Sequence, residues 1–409
     1  MKAPFLFSLY LPMLHPDSLT TLGEKIMQID QILVHQVSLP FAIDFSHSLR
    51  KRSSAKNIIV EVIADQGDIK GYGEGAPRSY VTGESQKSAS KSVYNLLQQD
   101  SFPWELNHIG QIWDFVDALP DGKEHNSAIC ALELALLDAL GKRDDKSIIQ
   151  YFSTDFFTPT VCYGIVVPIA SKKTLREVCE LIRKMEIKKL RLKMGRDLEQ
   201  NRKTTNTVQL IFGDECDLRA DVNGVWDFEL ALAHVPLIRE HKVKVLEQPM
   251  GPDDQDISRF AQAMQDSGVI LMADESACSF ADMERIVEEG YYSMVNVRLS
   301  KCGGFRNSLK KIGYLRNQGI SFQIGCQLGE SGLLSAAGRV LSLLSSDALY
   351  YDGSYDKFLL KTNVTLEHVS FGPGGEAGPL AGHGLGVKIS PQNLERLSNP
   401  STRVTIMRP

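Results

Sequence analysis

Five ionisable residues recur at an almost constant interval in the second half of this chain. They are Lys193, Asp221, Glu247, Asp274 and Lys301, separated by 28, 26, 27 and 27 residues. The first four close short apolar runs, "KKLRLKMG", "CDLRADVNG", "VKVLEQPM" and "VILMADES", and Lys301 lies just past "SMVNVRLS". Between these runs apolar residues recur at helical spacing. One strand plus one helix per repeat is the unit of a parallel α/β architecture, and a barrel of about 250 residues holds eight such units. Adding "TVCYGIVV" before the series and "ISFQIGCQ" and "DALYYDG" after it makes eight strands. The expected fold is α/β, a TIM-like (β/α)7β barrel over residues 156–368. An open doubly wound sheet is the alternative, but the GxGxxG after its first strand is missing.

The first half follows a different pattern. "IDQILVHQV", "NIIVEVIA" and "IKGYGEGAP" are strands separated by turn residues, as in an antiparallel sheet. "GYGEG" is followed by Pro77 rather than a helix, so it is expected to be a tight strand end and not a phosphate cradle. "SASKSVYNLLQQ" and "NSAICALELALLDALGK" have helical periodicity, the second with a cap at Gly141. Together they predict an α+β domain over residues 27–155. Residues 1–26 contain an apolar run broken by two prolines, with no A-x-A-like cleavage site, and are expected to be an N-terminal extension. The net charge of -5 points to neither nucleic acid nor an anionic membrane. Seven cysteines without a CxxC pair suggest reduced thiols in a cytoplasmic protein.

A single acid after an apolar strand is often a helix cap. Three acids on three consecutive strands are harder to explain that way. Packed at one barrel mouth they repel, and each is driven to protonate unless a cation sits among them. An oxygen-only donor set suits a hard cation such as Mg2+, whereas zinc would want His or Cys. The lysines flank these strands, and around a closed barrel the second and sixth strands stand nearly opposite. A lysine serves as a base when burial, metal charge or a fixed cation lowers its pKa. "KKLRLKMG" alternates Lys189, Arg191 and Lys193 with Leu190, Leu192 and Met194, which places Arg191 on the face of Lys193 as that fixed cation. Lys189 is expected in an ion pair near the barrel floor. The glycines of "KCGG" allow close backbone approach beside Lys301.

The segments "LRLKMG", "LRADVNGVW", "VLEQPM", "LMADES", "VNVRLSKCGG" and "GCQLGESGLLSAAG" resemble the enolase superfamily, and within it the muconate-lactonizing subgroup. "GYGEGAP", "TGES" and "ALELALLDALGK" are similar to that family's capping domain, and "GPGGEAGPLAGHGLGV" to the C-terminal segment, residues 369–409, that completes it. The resemblance implies that Asp221, Glu247 and Asp274 bind Mg2+ or Mn2+ and that Lys193 and Lys301 are the acid/base pair. A Lys or His base with Mg2+ stabilising an ene-diolate is established chemistry for this superfamily. Asn223, Glu275 and Glu330 match polar positions near such a site. Arg191 departs from the family's usual lysine. Dipeptide epimerases carry an Asp-x-Asp on the eighth strand; here Ser354 and Asp356 stand at those places, with Asp352 nearby. Phe45 and His47, in the capping stretch "PFAIDFSHSLRKRSS", complete the specificity candidates.

The implied activity is Mg2+-dependent abstraction of the proton alpha to a carboxylate through an enediolate. Proton return gives racemisation or epimerisation of an amino acid derivative or dipeptide. Cycloisomerisation of the muconate type and syn-β-elimination are the alternatives. A Schiff-base aldolase on one of the lysines and a non-catalytic metal-binding barrel are the more distant rivals. The expected partners are a small carboxylate substrate and further copies of the chain in a homo-oligomer, with no nucleic acid and no membrane.

Overall fold

A computed structural model describes residues 26–47 and 50–409, without the side chains of residues 43–52. The N-terminal extension up to residue 25 and the side chains of Phe45 and His47 lie outside the described residues. Alternating apolar residues build the first sheet. Strand β1 (Met27–His47) pairs antiparallel with β2 (Arg50–Ala64), and β2 with β3 (Ile69–Gly75). Helix α1 (Gln86–Leu96), the short β4 (Glu105–Leu106), α2 (Ile109–Asp117) and α3 (Asn126–Arg143) follow.

Helix α3 is buried from Asn126 to Gly141 and lies directly on β3. Gly71, Gly73 and Gly75 make this contact possible. A Cβ added at each would sit 2.1–2.2 Å from the carbonyl oxygens of Ala135, Ala131 and Ser127 respectively. Residues two apart on a strand and four apart on a helix both advance about 6 Å, so the two backbones stay in step. "GYGEG" is the end of β3, as expected, and is also the face on which α3 packs. Gly141 does not cap α3. The helix runs on to Arg143, and a Cβ on Gly141 would meet Gly384 and Lys146.

Strand β5 (Val161–Cys162) leads into the eight-stranded parallel sheet. Its strands are β6 (Ile165–Val167), β7 (Lys189–Lys193), β8 (Asp217–Asp221), β9 (Val245–Glu247), β10 (Ile270–Ala273), β11 (Met294–Val297), β12 (Ser321–Ile324) and β13 (Tyr350–Tyr351). Each pairs with its sequence neighbours. The crossovers are α4 (Lys172–Lys184), α5 (Leu198–Phe212), α6 (Phe228–Glu240), α7 (Ile257–Met264), α8 (Phe280–Glu289), α9 (Leu299–Cys302) with α10 (Gly304–Asn317), and α11 (Gly332–Leu343). Side-chain oxygens of Ser171, Asp197, Asp227, Ser279 and Ser331 cap five of these helices, giving each crossover a defined start. The circle closes between β13 and β6, where the Gly164 N–H donates to the Tyr351 carbonyl at 2.8 Å. This is the barrel expected from the spacing, with the capping domain that the family resemblance implies.

Beyond β13 come α12 (Asp356–Leu359), β14 (Glu376–Ala377) on β5, α13 (Pro391–Leu397) and β15 (Val404–Met407), which joins the first sheet beside β1. Side chains of the first domain bind backbone groups of the barrel. Glu74 on β3 accepts from the N–H groups of Ser331 and Leu334 at the start of α11. Glu133 on α3 accepts from those of Phe305 and Arg306 at the start of α10. Among the described residues no helix is long and apolar enough to cross a membrane.

Candidate active site

Strand register brings the ionisable residues together. Lys193 pairs with Asp221, and Asp221 with Glu247, so the three side chains leave adjacent strands at one level. Asp274 follows the last residue of β10, and Lys301 sits in the single turn α9 beyond β11. Gly303 and Gly304, both at positive φ, then turn the chain into α10. Asn126 of α3 donates to the Lys301 carbonyl at 2.5 Å and ties this turn to the first domain.

The three carboxylates are wholly buried, and cationic side chains meet each of them. Lys193 Nζ lies 2.6 Å from Asp221 Oδ2 and 2.8 Å from Asn223 Oδ1. Arg191 lies 3.0 Å from Glu247 and 3.5 Å from Asp221. Lys301 Nζ donates to Asp274 Oδ1 at 3.0 Å and to the carbonyls of Asp274 and Asn296. Arg298 bridges Asp274 and Glu247. Sequence reasoning did not single it out. Its signal was present: Asn296 and Arg298 alternate into the barrel as Arg191 and Lys193 do, and Asn296 donates to Glu247 at 2.6 Å.

These partners set the charges. Burial opposes ionisation of Glu247, but Arg191 and Arg298 outweigh it and hold this carboxyl well below the usual range. Burial and then the charge of Glu247 push Asp221 up, against the pull of Lys193. Glu275, hydrogen-bonded by Asn223, rises to about 8 through burial and the nearby Asp274 and Asp221. At Lys301 burial pulls the pKa down, and the neighbouring Asp274 more than offsets this.

The other candidates separate. Asn223 and Glu330 line a cavity of about 290 Å3 at the mouth with Arg191, Lys193 and Arg298, and so does Ser354. Asp352 and Asp356 do not. Asp352 makes a two-pronged pair with Arg219, 2.9 Å for each bond, and lies 3.3 Å from Arg191 Nε. Asp356 is bonded by Asn363, His368 and the Val369 N–H. Lys189 makes no ion pair among the described residues; its amine lies 5.9 Å from the centre of the Tyr350 ring. His234, off register for a metal, is buried and stacked on Trp226.

The family model described as "Enolase C-terminal domain-like" matches residues 173–393, more than half of the chain. The chain belongs to the enolase superfamily. This superfamily member is 25% identical over 320 residues to the hydrophobic dipeptide epimerase of Enterococcus faecalis, covering 76% of this chain and 86% of that protein. It is 28% identical over 316 residues to the N-succinyl-L-Arg/Lys racemase of Bacillus cereus, covering 76% and 83%. The crystal structure of the latter superposes with a TM-score of 0.80 over 93% of this chain and all of that one, at 24% identity. A dipeptide epimerase from Cytophaga hutchinsonii, crystallised with Mg and the dipeptide D-Ala-L-Val, superposes with a TM-score of 0.78 over the same share of this chain and all of that one, at 21% identity. These two structural matches are likenesses of fold.

The donor set of the superfamily member fits a hard divalent cation: three buried carboxylates from neighbouring strands, oxygen only. Glu275 Oε2, beside Asp274, is buried without a hydrogen-bond partner. As placed, the carboxylates turn to their arginine and lysine partners, and no three of them stand as a formed metal cluster among the described residues.

Proposed function

We propose that this isomerase of the enolase superfamily is a racemase or epimerase of an amino acid derivative or dipeptide, acting by removal of the proton alpha to a carboxylate. The observation carrying the reading is the placement of two lysines across the barrel, Lys193 lining the cavity and Lys301 wholly buried beside Asp274. Lys193 is on the second strand of the barrel and Lys301 follows the sixth, so they stand on opposite sides of any carbon held between them. Two amines in that relation serve opposite faces of the carbon, one taking a proton and the other returning one. The epimerases and racemase among the relatives support isomerisation at such a centre.

Asp221, Glu247 and Asp274 are the residues that would hold Mg2+ or Mn2+. When bound, the ion supplies positive charge where the enediolate develops negative charge. Arg191 and Arg298, cations at all working pH values, keep Glu247 ionised between them. Tyr80 of the first domain lines the cavity and helps shield it from water. The unpaired cysteines, all seven, fit a reducing compartment such as the cytoplasm.

The test is to incubate the protein with Mg2+ in D2O against N-acylamino acids, dipeptides and lactone-forming diacids, reading the alpha proton by NMR. Deuterium entry with inversion, lost in EDTA and restored by Mg2+ or Mn2+, is expected. Turnover of the diacids alone, without exchange in the other two classes, would sink the reading in favour of cycloisomerisation.

A further inference from the structure

Helix α10 carries two adjacent lysines that are used in opposite ways. Lys310 is half-buried and pairs with Asp117 of the first domain at 2.6 Å. Lys311 turns inward, is 2% exposed and makes no ion pair among the described residues. Its amine donates to the Cys278 carbonyl at 2.7 Å and to the Cys302 carbonyl at 3.0 Å. A buried amine costs free energy that a methionine of similar length does not. What its N–H groups hold therefore accounts for its place here.

They hold two loops together. Cys278 lies in the loop that carries Asp274 out of β10, and Cys302 follows Lys301 in α9. Asn126, at the start of α3, completes the clasp: its amide donates to the Lys301 carbonyl at 2.5 Å and to the Cys278 carbonyl at 3.3 Å. The Cys278 carbonyl thus serves both donors, while Lys301 and Cys302 serve one each. The same two loops meet again where the Lys301 amine donates to Oδ1 and to the carbonyl of Asp274. Both donors of the clasp have a firm footing on the first domain. Asn126 belongs to it, and α10 is fastened to it through Glu133 at its start and Asp117 on its flank.

We propose that Lys311 is a positioning residue, which with Asn126 holds the Lys301 turn against the Asp274 loop and so aims the Lys301 amine at one face of the substrate carbon. This rests on the reading of Lys193 and Lys301 as opposed proton-transfer groups. A displacement of about 1 Å at such a group can cost about a hundredfold in rate. The test is Lys311→Met, with alpha-proton exchange in D2O and Mg2+ followed on each enantiomer. The enantiomer slowed most by Lys301→Ala should lose at least about tenfold in kcat, with KM and the other enantiomer's rate each within about twofold of wild type. Equal slowing of both enantiomers, or of neither, overturns the proposal. Should Lys311→Met fail to fold, Asn126→Ala carries the same test with the same outcomes. Amide hydrogen exchange read by mass spectrometry gives a second measure: the Asp274 loop and the Lys301 turn should open faster together in the variant, with β7 unchanged. Wild-type protein that exchanges neither enantiomer sinks proton abstraction; joint opening then supports the clasp, and unchanged amide exchange overturns it.

Discussion

The barrel mouth and the interface between the domains both bury carboxylates completely, yet they satisfy them in opposite ways. At the mouth, side-chain cations meet Asp221, Glu247 and Asp274. At the interface, Glu74 and Glu133 are met largely by backbone N–H groups. The electrostatic result differs accordingly. Glu247 is held ionised by two arginines, whereas burial drives Glu133 up to about 8 despite its two amide donors. For these two the partner's charge, and not depth, makes the difference. Glu275 shows the same within the mouth: hydrogen-bonded by an amide instead of a cation, it rises to about 8 like Glu133. Asp221 lies between the extremes, pushed up by burial and Glu247 against the pull of Lys193.

The same exchange made in both regions tests this contrast. Glu247→Gln strands Arg191 and Arg298 and is expected to cost about 3–5 kcal/mol in urea melts, the range for breaking a buried ion pair. It should also lower turnover at least about a hundredfold. Glu133→Gln keeps the shape but only one of the two acceptors, leaving the Phe305 or Arg306 N–H unmet, and should cost about 1–2 kcal/mol at pH 7, with turnover unchanged; equal losses at the two sites would break the contrast. Glu74→Ala lies between them. It leaves the Ser331 and Leu334 amides without their acceptor and should cost about 1–3 kcal/mol. The last test is a pH slope. A carboxyl raised to about 8 in the folded state contributes its full stability below the unfolded value of 4.5 and loses it as pH climbs to about 8. Wild-type protein should therefore lose stability relative to Glu133→Gln across that window, as followed by melts at several pH values. A parallel pair of curves would show that Glu133 is already ionised.

Regular spacing made part of this molecule legible. One ionisable group per βα unit reports the level at which strands end, which is why Lys193, Asp221, Glu247 and Asp274 could be placed at one mouth from the chain alone. What depends on contact around the circle could not be placed that way. Asp352 is taken by Arg219, whose strand β8 lies far from the end of β13 along the chain, and spacing says nothing of that pairing. Arg298 was overlooked because it sits one residue past β11, between two motifs that each drew attention to other residues. The bonds from the Lys301 amine to Asp274 and Asn296 are likewise properties of the folded turn, which spacing does not report. Gly71, Gly73 and Gly75 were conspicuous, but only α3 lying on them explains their spacing.

The account stands most directly on the opposition of Lys193 and Lys301. The decisive measurement is alpha-proton exchange in D2O, by NMR, on each enantiomer of an accepted substrate with Mg2+ present. Wild-type protein should exchange both. Lys193→Ala and Lys301→Ala should each slow exchange by about 10²–10⁴-fold, with one enantiomer most affected in the first variant and the other in the second. Exchange at the wild-type rate on both enantiomers in either variant would contradict the assignment.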